Sequence, residues 1–348
     1  MRRAITVFAA VAAVAMLLAG CGQLRERADG ESEGAPCAEA GGHADGCEVP
    51  GYEDRPFSVF VPSSYSAASP TPVVLFLHGG GGNGVQAQET TCPDRDATDP
   101  ACVQNVGEAE GFITVFPNGT GSRLLPEVRT WNGGGGGPDY ACASGAACEN
   151  NVDDVAYLNA VLDEVERQWN VDASRVYVSG FSNGGAMAHR VGCEMADRVA
   201  AIAPVSGGNE YATNADCSPT RPMPVIDVHG TADPCWTYVA STLACADQDP
   251  RPKVGVPETI AGWVERDGCA RAAAETPLPD VADDGLTSVA RTWTGCAGGV
   301  EVRLVTIDGG GHTFPSGSKA RVQADTGPAT SDFGFAYLWE FLQRFALA

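Results

Sequence analysis

The feature that most constrains the fold is a set of short apolar runs that do not alternate with polar residues. Val73-Val-Leu-Phe-Leu77, Phe112-Ile-Thr-Val-Phe116, Val199-Ala-Ala-Ile-Ala-Pro-Val205 and Pro224-Val-Ile-Asp-Val-His229 read this way, with Arg175-Val-Tyr-Val-Ser179 close to them. A strand with one wet face alternates, as Phe57-Ser-Val-Phe-Val61 does, whereas a strand buried on both faces of a parallel sheet has no reason to. Parallel neighbours need a crossover, and helix-period segments lie between the runs. Val155, Leu158, Val161, Leu162 and Val165 mark a helix within 152–169, and further helices are expected over Asn183–Met195, around Val256–Arg266 and over about Asp332–Phe345. Later strands are expected near Ser288–Thr294 and Val300–Ile307. This succession over about 300 residues predicts a single α/β domain, residues 51–348, with a mostly parallel, doubly wound sheet.

The N-terminus reads as an export signal. Arg2 and Arg3 precede the apolar run Ala4–Ala19, which is short for a membrane span but suits a signal peptide of residues 1–20. Leu18-Ala19-Gly20-Cys21 resembles a lipobox, which implies lipidation of Cys21. Residues 21–50 are then the anchor cysteine and a disordered tether, its polar part GQLRERADGESEGAP lacking any period. The protein is expected on the outer face of the cytoplasmic membrane, or secreted. Its membrane contact would be through the lipid alone, and it would act as a monomer. With 44 acidic against 22 basic residues the chain carries a net charge of −22, which repels phosphate backbones and excludes nucleic acid as a partner.

Of 13 cysteines, Cys21 set aside leaves an even number. In an exported chain with no metal-type spacing they read as disulfides. Pairing neighbours gives Cys37–Cys47, Cys92–Cys102, Cys142–Cys148, Cys193–Cys217, Cys235–Cys245 and Cys269–Cys296.

Gly180-Phe181-Ser182-Asn183-Gly184 is a G-x-S-x-G sequence with a strand before it and a helix after it, the context in which a serine is displayed on a tight turn. A serine nucleophile needs a base and a carboxylate that orients it. Among five histidines, His43 lies in the leader region, His78 and His229 end strands, and His189 sits on the helix after the turn. His312, in Gly309-Gly-Gly-His312-Thr-Phe-Pro, follows a late strand and completes the order serine, acid, histidine. Asp233, just after the strand ending at His229, is the acid, with Asp227 and Asp308 as fallbacks. Asp153 and Asp154 suit a helix N-terminus without any role in chemistry. The oxyanion donors are expected to be the backbone N–H groups of Asn183 and of Gly80, in the run His78-Gly79-Gly80-Gly81-Gly82. That run lacks the G-K-[ST] ending of a phosphate-binding loop. Trp131 and Trp236 are candidates for lining a substrate pocket. No metal or cofactor is needed.

Together with Pro117-Asn-Gly119, Thr130-Trp-Asn132 and Val152-Asp-Asp-Val155, these motifs resemble the secreted poly(3-hydroxybutyrate) depolymerase and feruloyl esterase family of α/β-hydrolases. The resemblance runs from about Phe57 to the C-terminus. It implies an α/β-hydrolase fold with Ser182, Asp233 and His312 as triad, and a serine esterase of the polyhydroxybutyrate depolymerase type. A feruloyl or acetyl esterase on plant polysaccharide is the alternative, and a catalytically inactive binding lipoprotein on the same scaffold the alternative of another class.

Overall fold

The computed structural model describes residues 35–121, 124–135, 147–148, 150–240, 254–317 and 326–348. The expected signal segment, Cys21 and the expected tether as far as residue 34 lie outside the described residues. In chain order the strands are β1 (His43–Cys47), β2 (Phe57–Phe60), β3 (Thr71–Leu77), β4 (Ile113–Phe116), β5 (Thr120–Gly121), β6 (Arg129–Thr130), β7 (Val171–Phe181), β8 (Ala201–Val205), β9 (Val225–Gly230), β10 (Ala274–Pro277), β11 (Thr287–Trp293) and β12 (Val302–Asp308). The helices are α1 (Gly84–Thr90), α2 (Val103–Glu110), α3 (Asp154–Gln168), α4 (Asn183–Glu194), α5 (Tyr211–Asn214), α6 (Val256–Arg266) and α7 (Phe335–Leu342).

Ten strands form one sheet in the order β1-β2-β4-β3-β7-β8-β9-β12-β11-β10, and β5 with β6 makes a separate ribbon. The run from β4 to β12 is parallel throughout. The outer pairs β1–β2, β2–β4, β12–β11 and β11–β10 are antiparallel. The parallel centre accounts for the apolar runs. Along β3, Val73, Leu75 and Leu77 enter one core while Val74 and Phe76 enter the other, so every position is buried. Residues of α3, α4 and α6 cover the first face, and α2 and α7 cover the second.

The body begins earlier than the expected boundary at residue 51. His43–Cys47 pairs antiparallel with β2, the Cys37–Cys47 disulfide closes that stretch, and the Trp169 indole donates to Ala38 O at 3.1 Å. An edge strand held by a disulfide and backbone pairing needs no apolar run, so its composition resembled a tether. Four of the expected disulfides, Cys37–Cys47, Cys92–Cys102, Cys193–Cys217 and Cys269–Cys296, are formed. Cys148 and Cys235 are disulfide-bonded as well, and the partners expected for them, Cys142 and Cys245, lie outside the described residues.

Because the central strands run the same way, the residues after β3, β7, β9 and β12 emerge along one edge of the sheet. Those residues are the glycine run, Ser182, the Asp233 turn and the His312 loop. The crevice beyond the carboxyl ends of the strands is where open parallel sheets bind their ligands.

Candidate active site

Ser182 sits between β7 and α4 with φ 57° and ψ −119°, a backbone state that costs a non-glycine residue on the order of 1–3 kcal/mol. The surroundings impose it. Ser182 N donates to Val205 O of β8 at 2.9 Å, and Ser182 O accepts from Ala186 N at 3.0 Å, the first turn of α4. A side chain at Gly184 would run into the backbone of Leu77 and His78. The turn is therefore pressed against the end of β3, with the Ser182 hydroxyl half-buried at the strand edge.

The three side chains singled out in the sequence meet there. His312 Nε2 lies 2.8 Å from Ser182 Oγ, and His312 Nδ1 lies 2.8 Å from Asp233 Oδ2. Asp233 Oδ1 accepts from the N–H groups of Cys235 (2.7 Å) and Trp236 (2.8 Å). Burial opposes ionisation of this carboxyl, but the facing His312 and His229 imidazoles outweigh it and hold its pKa far below the ordinary carboxylate range. The acid turn and the histidine loop are tied together by Ala232 N donating to Gly310 O at 2.9 Å, and His312 N donates to Thr326 O at 2.6 Å. The fallback acids lie elsewhere: Asp227 faces His189 on α4 at 3.1 Å, and Asp308 accepts from Thr231 Oγ1.

The glycine run is anchored by its own histidine. His78 Nε2 accepts from Gly119 N at 2.9 Å, which leaves Nδ1 as the donor to Gly79 O at 2.8 Å. Burial, opposed by the bond to Gly79 and assisted by the Arg129 and Arg55 charges, pushes the His78 pKa down to about 3, so the ring is neutral at working pH. Gly81 N donates to Arg129 O of β6 and Gly82 N to Gly79 O, so both already have partners within the protein. The Gly79 carbonyl points inward, and in a planar trans peptide the Gly80 N–H points the opposite way. Asn183 is the first residue of α4, where a backbone N–H has no partner inside the helix.

The remaining sequence motifs brace this frame. The Asn183 side chain forms two bonds with the Trp131 backbone, accepting from its N–H at 2.7 Å and donating to its carbonyl at 3.0 Å. The Trp131 indole donates to His78 O at 3.0 Å. Trp131 is 0% exposed, which corrects its assignment to a substrate pocket: it is the strut between the serine turn and the glycine run. Asp153 caps α3 through Ala156 N as expected. Asp154 instead pairs with Arg55 at 2.5 Å in the core and accepts from Asn132 N at 2.6 Å. Arg55 was not singled out by sequence reasoning, and Asn118 only as part of the motif Pro117-Asn-Gly119. Arg55 stacks 3.7 Å above the Tyr157 ring, and Asn118 Oδ1 accepts from Gly84 N at 2.8 Å. Trp236 is nearly buried beside the acid, its indole donating to Val254 O. A cavity of about 610 Å³ bounded by Ile260, Val264, Trp293 and Leu304 runs along α6, and Ser182, Asp233 and His312 do not line it.

A mostly parallel sheet with a serine turn at the end of a central strand and Asp and His after two later ones defines an α/β-hydrolase. No protein-family model matches the chain. Over 255 residues, 71% of its length, the chain is 30% identical to "Putative esterase NocK" of Nocardia uniformis subsp. tsuyamanensis, and over 240 residues, 68% of its length, 28% identical to feruloyl esterase B of Piromyces equi. It spans 66% and 37% of those relatives' lengths. The fold matches that of an acetyl xylan esterase from Aspergillus awamori with a TM-score of 0.52 at 16% identity, covering 78% of this chain and 94% of that one. The fold is that of the α/β-hydrolases, and in sequence the chain is similar to these esterases.

Proposed function

We propose that the protein is a serine carboxylesterase in which Ser182, His312 and Asp233 act as one catalytic unit. The observation that carries this is the unbroken line of two 2.8 Å contacts from Ser182 Oγ through the His312 ring to Asp233. His312 Nε2 takes the hydroxyl proton as Ser182 Oγ attacks the ester carbonyl. The N–H groups of Asn183 and Gly80 receive the oxyanion. The alcohol departs with the proton held by His312, leaving an acyl-serine. Water then attacks, His312 accepts its proton and returns it to Ser182, and the free acid leaves. Asp233 keeps its charge throughout and steadies the imidazolium.

The relatives' names favour a feruloyl ester as substrate, and a hydroxybutyrate polyester is the second reading, resting on the motif resemblance. Trp236, beside the acid, is the aromatic candidate for contact with the acyl or alcohol part. The disulfides fit an oxidising, extracytoplasmic compartment, with lipidation of Cys21 as the proposed attachment; Cys21→Ser should move the protein from the membrane fraction to the soluble one.

The nucleophile is tested by Ser182→Ala. Turnover of a short p-nitrophenyl ester should disappear while the thermal midpoint stays at the wild-type value, and turnover that survives refutes the assignment. Methyl ferulate and hydroxybutyrate oligomers offered side by side decide between the two substrates.

A further inference from the structure

Asp233 is gripped from a side that the line to Ser182 does not use. His229, near the end of β9, is fully buried, and its Nε2 lies 2.7 Å from Trp236 O and 3.3 Å from Asp233 Oδ2. A backbone carbonyl can only accept, so Nε2 carries a hydrogen, which it donates to that carbonyl with the Asp233 carboxylate 3.3 Å to its side. The contacts close a small ring. His229 holds the Trp236 carbonyl, the Trp236 N–H holds Asp233 Oδ1, and Asp233 Oδ2 returns to His229. The other ring nitrogen, Nδ1, has no hydrogen-bond partner among the described residues. A buried polar atom left unpaired is costly, and an apolar side chain could fill this space without that cost. The donor that faces the acid is what distinguishes histidine here.

We infer that His229 is a positioning residue for the reaction: its Nε2–H fixes the Asp233 turn and draws on the carboxylate that orients His312, thereby helping to set the pH at which His312 becomes free to act as base. The inference rests on the roles proposed for Asp233 and His312. The titratable groups facing His229 are Asp233 on the following turn, with His312 beyond it, Asp227 two residues earlier on the same face of β9, and Tyr238, whose ring centre is 6.2 Å away. Asp227 is itself bonded by His189 of α4. Burial disfavours charge on His229, but the Asp233 bond and charge, followed by Asp227, outweigh it and raise its pKa above the usual value. Less donation to Asp233 leaves a more basic carboxylate, so His312 would hold its proton to higher pH.

Two variants separate this from packing. The amide of His229→Asn sits near the place of Nδ1 and falls short of Asp233, whereas that of His229→Gln reaches the place of Nε2. The Asn variant should lose about tenfold in kcat on a p-nitrophenyl ester, with KM near wild type and the acid limb of kcat/KM moved to higher pH. The Gln variant should restore both. A wild-type acid limb in the Asn variant, with activity lost only in proportion to the fraction unfolded, would overturn the inference. Nitrogen-15 imidazole spectra of the wild-type protein give a reading that needs neither folding of a variant nor turnover. His229 Nε2 should stay protonated across the working pH range, and an unprotonated Nε2 would overturn the inference. Turnover that survives Ser182→Ala would instead remove the proposed reaction and leave that spectroscopic result standing.

Discussion

Asp267 shows how one side chain sets a pH dependence of the whole fold. It ends α6 fully buried, and its Oδ1 accepts from Met223 N at 3.0 Å. Burial raises its pKa from 3.8 to about 6, against the Met223 bond and the Arg221 and Arg266 charges. The folded value lies above the unfolded one, so the group's stabilising contribution is fully present below the unfolded pKa and is lost as pH rises through the folded one. Asp267→Asn keeps the acceptor and removes the charge. It should raise stability at neutral pH by about 1–3 kcal/mol, and the gain should vanish on acidification to about pH 4. Urea unfolding at the two pH values measures this, and an equal effect at both would contradict it. At this scale the meeting of Ser182, Asp233 and His312 was legible because motif order and strand ends restrict each position to a few candidates. Trp131 was misread because a pattern does not say which way a side chain points, and for the same reason the buried pairing of Asp154 with Arg55 was not foreseen, although Asp154 stands in the first turn of α3 as expected. His229 read as an ordinary strand histidine, since nothing in the sequence shows the carbonyl and carboxylate on which its ring closes.

Among the elements, those buried on both faces were readable and those at the edges were not. β3, β4, β7, β8 and β9 carry apolar runs because both of their faces meet helices. β10 is exposed at every position and β1 is largely so, so neither leaves an apolar signature; their pairing is backbone hydrogen bonding, which any sequence can make. The short ribbon of β5 and β6 is equally silent, although Arg129 in it bridges to Gly82. The Arg55–Asp154 pair binds the segment before β2 to the start of α3 and to the Asn132 loop. Arg55→Met should destabilise the protein by about 3–5 kcal/mol, since it strands a buried carboxylate. Arg55→Met with Asp154→Leu should recover much of that loss. Denaturant midpoints of the single and double variants check both statements, and a double variant no more stable than the single one would contradict them.

For the molecule as a whole, four neighbour pairs are formed among the described residues, and unreduced peptide mapping should recover these together with the two proposed pairs Cys142–Cys148 and Cys235–Cys245; a single non-neighbour bridge would break the scheme. Removing Cys37–Cys47 by paired serines should cost about 2–3 kcal/mol and loosen β1 while leaving ester turnover intact, because Ser182, Asp233 and His312 follow β7, β9 and β12, far from that edge in strand order. The central claim is that three side chains distant in sequence form one reactive unit along the sheet edge. The most direct measurement is a structure of the protein reacted with diethyl p-nitrophenyl phosphate. A single phosphoryl group is expected on Ser182 Oγ, with one of its oxygens held by the N–H groups of Gly80 and Asn183. Phosphorylation of another residue, or an unmodified Ser182 in fully folded protein, would contradict it.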